Sequence, residues 1–291
     1  MWTWVGRQLN HENMLTGAPA SSASTWLILG SDQRDGTPGT GNVGDAPGFR
    51  TDTILVLTQP KHGASSLISI PRDSLVKVKG SDMKINAAAN LAGYPALTEQ
   101  VEAITGHKID HVVMIRFGGL EQVVDAIGGV NLCYDRTVND VRSGMNWTAG
   151  CHDADGGTAL AFSRMRYSDP KGDFGRAERQ RQVIGAITKK AFTPSVLLSP
   201  SRATKLISTA LKSVLVDESA NPWTVMRMAL AFRKASGGQG VTGSVYWSNP
   251  DYRPGNVGSS VLLDAAKNTE LFQQLDQGSH EPGVVGGQSG R

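Results

Sequence analysis

Apolar and polar positions follow one another along this chain in two rhythms. Thr25 to Leu29, Asp52 to Gln59 and Ser65 to Ile70 are β-branched or apolar runs of strand length, and Pro60-Lys61-His62-Gly63 joins the second and third as a hairpin turn. Val112 to Phe117, Val130 to Tyr134 and Gly243 to Trp247 read as further strands. Thr98 to Thr105, Leu120 to Ile127, Gly175 to Phe192, Ser201 to Val216 and Trp223 to Lys234 read as helices, the first two stopped by Gly106 and by Gly128-Gly129. Interleaved elements of this kind predict a mixed α/β fold. Residues 1–24, rich in Gly, Ala, Ser and Asn, form an N-terminal extension, and Asp32 to Gly48 is a glycine-rich loop suited to a lid. The glycine-rich end, 276–291, is expected to be disordered.

Charge narrows the function classes. A net charge of +3 over 291 residues gives no broad basic field, so no nucleic-acid partner is expected. No apolar run approaches the roughly 18 residues of a membrane span, and Met1-Trp2-Thr3-Trp4-Val5 lacks the pattern of a signal peptide. Cys133 and Cys151 are the two cysteines, and their count fits a disulfide and two free thiols equally well. A bridge would close a loop worth roughly 3 kcal/mol.

The chemistry concentrates between Phe162 and Gln182, which carries Arg164, Arg166, Lys171, Arg176, Arg179 and Arg181. The spacing sets Arg164 and Arg166 on one face of an extended strand, and Arg176 and Gln180 at i and i+4 on a following helix. Guanidinium groups are planar, permanently charged and able to donate two parallel hydrogen bonds, so such a cluster suits a pyrophosphate. A solvated basic helix face, with Asp169, Asp173 and Glu178 nearby, is the plainer alternative. Asp32 follows one predicted strand and Asp52 opens another, a carboxylate pair of the sort that holds magnesium beside phosphate oxygens, although strand-end aspartates also cap turns. Arg50, Arg72 and Lys84 add cations from separate regions. His62, His107, His111 and His152 show no metal-ligand spacing, and no Walker or dinucleotide glycine pattern follows a strand.

Six motifs in order make the chain resemble the LytR-CpsA-Psr family of glycopolymer phosphotransferases over about Trp26 to Phe192. They are Leu27-Ile28-Leu29-Gly30-Ser31-Asp32, Arg50-Thr51-Asp52-Thr53, Ile70-Pro71-Arg72-Asp73, Lys84-Ile85-Asn86-Ala87-Ala88, Ala159 to Arg166, and Gly172 to Arg176 with Glu178-Arg179-Gln180. The resemblance implies a three-layer α/β/α fold with a central mixed β-sheet, and a catalytic domain over 25–275. It implies magnesium at Asp32 and Asp52. It further implies pyrophosphate and sugar contacts from Arg50, Arg72, Lys84, Arg164, Arg166, Arg176 and Gln180, with Arg179 in the same motif. Asp173 matches an acidic position open between orienting an arginine, assisting the metal and serving as a base.

The resemblance also implies a polyprenyl-pyrophosphate-linked glycan donor, its lipid in an apolar channel that the Ile184 and Ile187 face would suit, and peptidoglycan or a surface protein as acceptor. Such enzymes act on the outer face of the bacterial cytoplasmic membrane behind an N-terminal anchor, which implies a missing anchor ahead of this chain. That oxidising setting favours a Cys133–Cys151 disulfide. Two readings compete: a phosphatase or pyrophosphatase, with water replacing the acceptor hydroxyl, and a polyprenyl-lipid carrier without chemistry.

Overall fold

The computed structural model describes residues 9–31, 51–165, 168–198 and 200–290. The chain divides into two compact units, one of 11–33, 46–114 and 215–291, the other of 1–10, 34–45 and 115–214.

A mixed sheet dominates the first. Its strands are β1 (Asn10–Glu12), β2 (Ser24–Ser31), β3 (Thr51–Gln59), β4 (Ser66–Ser69), β7 (His111–Arg116), β12 (Val214–Asp217), β13 (Val241–Tyr252), β14 (Ser260–Leu263) and β15 (Gly283–Gln288), with β5 (Leu75–Val78) and β6 (Ser81–Lys84) forming a separate hairpin. The order is β1-β12-β7-β2-β3-β4-β13-β14, and β15 pairs with β13. β2, β3 and β4 run antiparallel, while β13 lies parallel to β4.

Both faces of the central strands are apolar, as strands covered on both sides require. Leu27, Leu29, Ile54, Val56 and Ile68 share a core with Ala88 of α1 (Ile85–Ala92), Leu97 and Val101 of α2 (Tyr94–Thr105), and Leu271, Phe272 and Leu275 of a C-terminal helix, Ala265–Gln277. Pro222–Ala235 packs on β3 and β4 as well, held at its start by a capping box between Asn221 and Thr224. Helix, sheet and helix layers bear out the expected α/β class. Gly106, in the left-handed conformation at φ 72°, ends α2 where the sequence places the stop.

Two expectations need correction here. Residues 9–24 are not a mere extension: β1 joins the sheet edge, Met14 is fully buried, its N–H donates to Glu218 and its carbonyl accepts from Thr98. The C-terminal segment expected to be disordered instead adds β15, in parallel register from Val241↔Gly283. Backbone pairing, to which glycine brings a full donor and acceptor, made that possible without an apolar pattern.

Asp217 at the end of β12 ties this sheet together. Its carboxylate is wholly buried and accepts from the Val112 N–H at 3.0 Å and from Ser219, with His111 Nδ1 at 3.2 Å. Burial pushes its pKa up, but the hydrogen bonds from His111, Ser219 and Val112 outweigh that and hold it below the usual carboxylate range. A depressed carboxylate adds stability above its unfolded pKa and loses it as pH falls through the folded one. Asp217→Asn is therefore expected to cost about 1–3 kcal/mol at pH 7, with the gap from wild type closing below about pH 4, measured by urea unfolding across pH.

The second unit is mainly helical. Its helices are α3 (Phe117–Ala126), α4 (Gly156–Arg164), α5 (Gly172–Ala191), α6 (Pro194–Leu197) and α7 (Pro200–Ser213), after which the earlier-mentioned Pro222–Ala235 becomes α8 and Ala265–Gln277 α9. Two antiparallel pairs join the helices: β8 (Val130–Tyr134) with β11 (Gly150–Ala154), and β9 (Val138–Asp140) with β10 (Met145–Trp147). Leu120, Val124, Leu132, Trp147, Leu160, Phe162 and Val183 form the core. Cys133 faces Cys151 in the β8–β11 register with Cα atoms 4.0 Å apart, and the two form the disulfide that the oxidising setting favoured.

Candidate active site

In the sheet unit, strand pairing alone builds a charged cluster. β3 starts where β4 ends, and the Leu55↔Ser69 register continued outward sets Asp52 opposite Arg72. The Ile70 N–H donates to the Ile54 carbonyl, keeping the two strands together to that edge. Arg72 Nη1 then lies 2.7 Å from Asp52 Oδ1, both side chains 12% exposed. Arg72 Nε sits 3.6 Å from Asp73 Oδ2, and Lys84 Nζ 3.3 Å from Asp73 Oδ1.

Lys84 reaches this point because the β5–β6 hairpin pairs it with Leu75, two residues after Asp73. The Ile85 and Asn86 N–H groups donate to the Ser74 and Arg72 carbonyls, fixing the start of α1 against the same turn. The result is two cations held in place by two carboxylates at the mouth of the sheet, a preorganised arrangement for an anionic ligand. Asp73, present in the Pro71-Arg72-Asp73 motif but given no role from sequence, is the bridge between Arg72 and Lys84.

Asp52 also fits magnesium by its chemistry: it is a hard, part-buried carboxylate of the kind that ion takes one or two of, beside phosphate oxygens. Its expected partner Asp32, and Arg50, lie outside the described residues. Among the described residues no group of three or more His, Cys, Asp or Glu gathers at one point, and no helix is long and apolar enough to cross a membrane.

The helical unit places the arginine-rich stretch differently from the sequence expectation. Arg164 is not on a strand; it ends α4, whose N-cap Asp155 accepts from the Thr158 N–H and whose Ala159, Leu160 and Phe162 are buried. Helix formers and an apolar face at helical spacing override the alternation of Arg164 and Arg166. Arg164 is exposed there, and Arg166 lies outside the described residues. Asp173 falls in the first turn of α5, with its side chain outside them.

Arg176 and Gln180 do share one face of α5, both buried, at 7% and 4% exposure. The Gln180 amide donates to the Ser163 carbonyl at 3.5 Å. Arg179, assigned to ligand by its motif, is committed to the fold: Nε donates to the Phe162 carbonyl at 3.0 Å, its two terminal nitrogens bond the Met165 carbonyl and the Asp169 carboxylate, and the guanidinium stacks over the Tyr134 ring. The open carbonyls at the end of α4 are thus capped by side chains of α5. Through these bonds Arg179 positions the segment that follows Arg164.

Asp169, read from sequence only as part of a solvated face, is its buried counter-ion and also accepts from the Lys171 N–H at 2.8 Å. A Cβ at Gly175 would come within 2.0 Å of the Asp169 carboxylate, so that glycine is dictated by the ion pair. Of the apolar face suggested for a lipid, Ile187 packs on the helical core.

Over 283 residues the chain is 38% identical to the probable cell wall biosynthesis protein LcpB of Corynebacterium glutamicum, covering 94% of this chain and 66% of that protein. It is 34% identical over 214 residues to the polyisoprenyl-teichoic acid–peptidoglycan teichoic acid transferase TagU of Enterococcus faecalis, covering 72% of this chain and 66% of that one. The chain spans about two thirds of the length of these curated relatives. In fold it is similar to the LytR-Csp2A-Psr enzyme from Actinomyces oris, with a TM-score of 0.69 at 18% identity over 92% of this chain and 96% of that one. With residues 6–238 matching the family as a whole, the chain belongs to the LytR_cpsA_psr family.

Proposed function

We propose that this protein transfers a glycopolymer from a polyprenyl-pyrophosphate carrier to a hydroxyl of a cell-envelope acceptor, peptidoglycan or a surface protein, and releases polyprenyl phosphate. The observation that carries this reading is the Asp52–Arg72–Asp73–Lys84 cluster, in which two cations are oriented before any ligand arrives. Family membership and the transferase name of the TagU relative support the same chemistry.

In the reaction, the acceptor oxygen forms a bond to the sugar-bearing phosphorus, and the bond from that phosphorus to the bridging oxygen breaks. The acceptor proton goes to a base, and the polyprenyl phosphate departs with the electron pair. Arg72 and Lys84 bind and orient the diphosphate and neutralise charge growing on the leaving oxygen. The family resemblance assigns phosphate and sugar contacts to Arg164, Arg166, Arg176 and Gln180 of the helical unit, and to Arg50. Magnesium, held by Asp52 with Asp32, would supply further neutralisation of phosphate charge.

The test is mass spectrometry of a reaction containing a polyprenyl-pyrophosphate-linked sugar and a peptidoglycan acceptor, with and without magnesium. Magnesium-dependent release of polyprenyl phosphate, with the sugar phosphate on the acceptor, is expected. Arg166→Ala should lower it on the order of a hundredfold while the protein still folds. Sugar phosphate released to water would instead make the protein a phosphatase, and donor left intact in every sample would make it a carrier.

A further inference from the structure

The outer face of α8 is unlike an ordinary solvated helix surface. Thr224, Ala231, Phe232 and Ala235 are buried on its inner side. Trp223, Met226 and Leu230 face outward at 54%, 40% and 40% exposure, and Arg227, Arg233 and Lys234 are exposed too. At 3.6 residues per turn these six side chains occupy one arc of roughly 120°. Exposed apolar residues scattered singly need no explanation, but three on one helix face, ringed by cations, do.

Local roles explain only part of this. Arg233 and Lys234 complement the dipole at the helix C-terminus, and Arg227 donates to the Ser24 hydroxyl and covers the Trp26 ring. None of these contacts calls for a half-exposed tryptophan with methionine and leucine beside it. Next to the face lies a depression of about 670 Å³ lined by Arg227, Leu230, Arg233 and Lys234 and by neutral residues of the 59–65 and 237–239 segments, with no carboxylate in its lining among the described residues. A polar-ended aromatic, flexible apolar side chains and clustered cations are the composition of a helix lying in a lipid interface.

We propose that this face of α8 docks on an anionic phospholipid surface. Trp223, Met226 and Leu230 enter the boundary between headgroups and acyl chains. Arg227, Arg233 and Lys234 meet the lipid phosphates, one headgroup seating in the depression. The inference stands on this face alone and does not depend on the transfer reaction.

The test is flotation of the full chain with vesicles of phosphatidylglycerol and phosphatidylcholine, against vesicles of phosphatidylcholine alone. Binding to the anionic vesicles, weakened by salt and nearly absent with the neutral ones, is expected. Charge removal in R227Q/R233Q/K234Q should weaken it about a hundredfold, at roughly fivefold per cation. W223S/M226S/L230S, altered only on the outer arc, should lose most of the remaining apolar contribution with an unchanged melting temperature. Equal binding to both vesicle types, or wild-type binding by both triple variants, would overturn the proposal. So would a dimer in sedimentation that W223S/M226S/L230S dissolves, since the face would then belong to a second copy.

Discussion

Replacing Arg179 with alanine is expected to lower the unfolding free energy by about 3–5 kcal/mol, the cost of stranding a buried charge. The substitution leaves the Asp169 carboxylate, 4% exposed, without its counter-ion and strips the Phe162 and Met165 carbonyls of their donor. Arg179→Lys should be nearly as damaging. A single ammonium cannot meet two carbonyls and a carboxylate that a planar fork reaches together, nor stack on the Tyr134 ring in the same way. Urea unfolding followed by tryptophan fluorescence measures both. Removing the stranded charge with Asp169→Asn in the Arg179→Ala background should recover part of the loss, a coupling that separates the ion pair from simple loss of packing. An Arg179→Lys protein within 1 kcal/mol of wild type would mean that the guanidinium does not brace the end of α4.

The second large effect falls on turnover. Arg72→Ala should reduce polyprenyl phosphate release on the order of a hundredfold or more, the size seen when a preorganised group aimed at developing charge is deleted. Arg72→Lys keeps the charge but loses the fork that spans Asp52 and Asp73, and should fall between the two. Because Arg72 is largely covered, its removal also takes from Asp52 an ion pair of 2.7 Å. Measuring kcat at saturating donor, beside the unfolding free energy, distinguishes lost transition-state stabilisation from a partly unfolded sample. Unchanged kcat in a folded Arg72→Ala protein would remove the β3–β4 edge from the reaction.

Much of the architecture was legible because it is local. Strands of β-branched residues, the Gly106 stop, and the helical spacing from Gly175 onward depend on neighbours a few positions away, and the structure puts elements at each. The failures also share a cause. Arg164 and Arg166 alternate as on a strand, yet capping by Asp155 and the buried Ala159, Leu160 and Phe162 make the stretch a helix up to Arg164. β15 has too little apolar pattern to announce itself, and exists through its backbone pairing with β13. The β12 strand was likewise absorbed into the helix before it, where Val214 to Val216 continue an apolar spacing that Ser213 actually ends.

By itself the sequence determined the residue types and their order: six motifs, an α/β alternation, a wealth of arginine beside strand-end aspartates, and two cysteines compatible with a bridge. Tertiary structure decided which partners each of those charges meets. Arg72 and Arg179 are chemically the same group. One stands at a strand edge between Asp52 and Asp73, and the other is used up by two backbone carbonyls and Asp169. The acceptors that make this difference come from strand register and from the open end of a preceding helix. Both are set by non-local pairing and are invisible in the spacing of side chains along the chain.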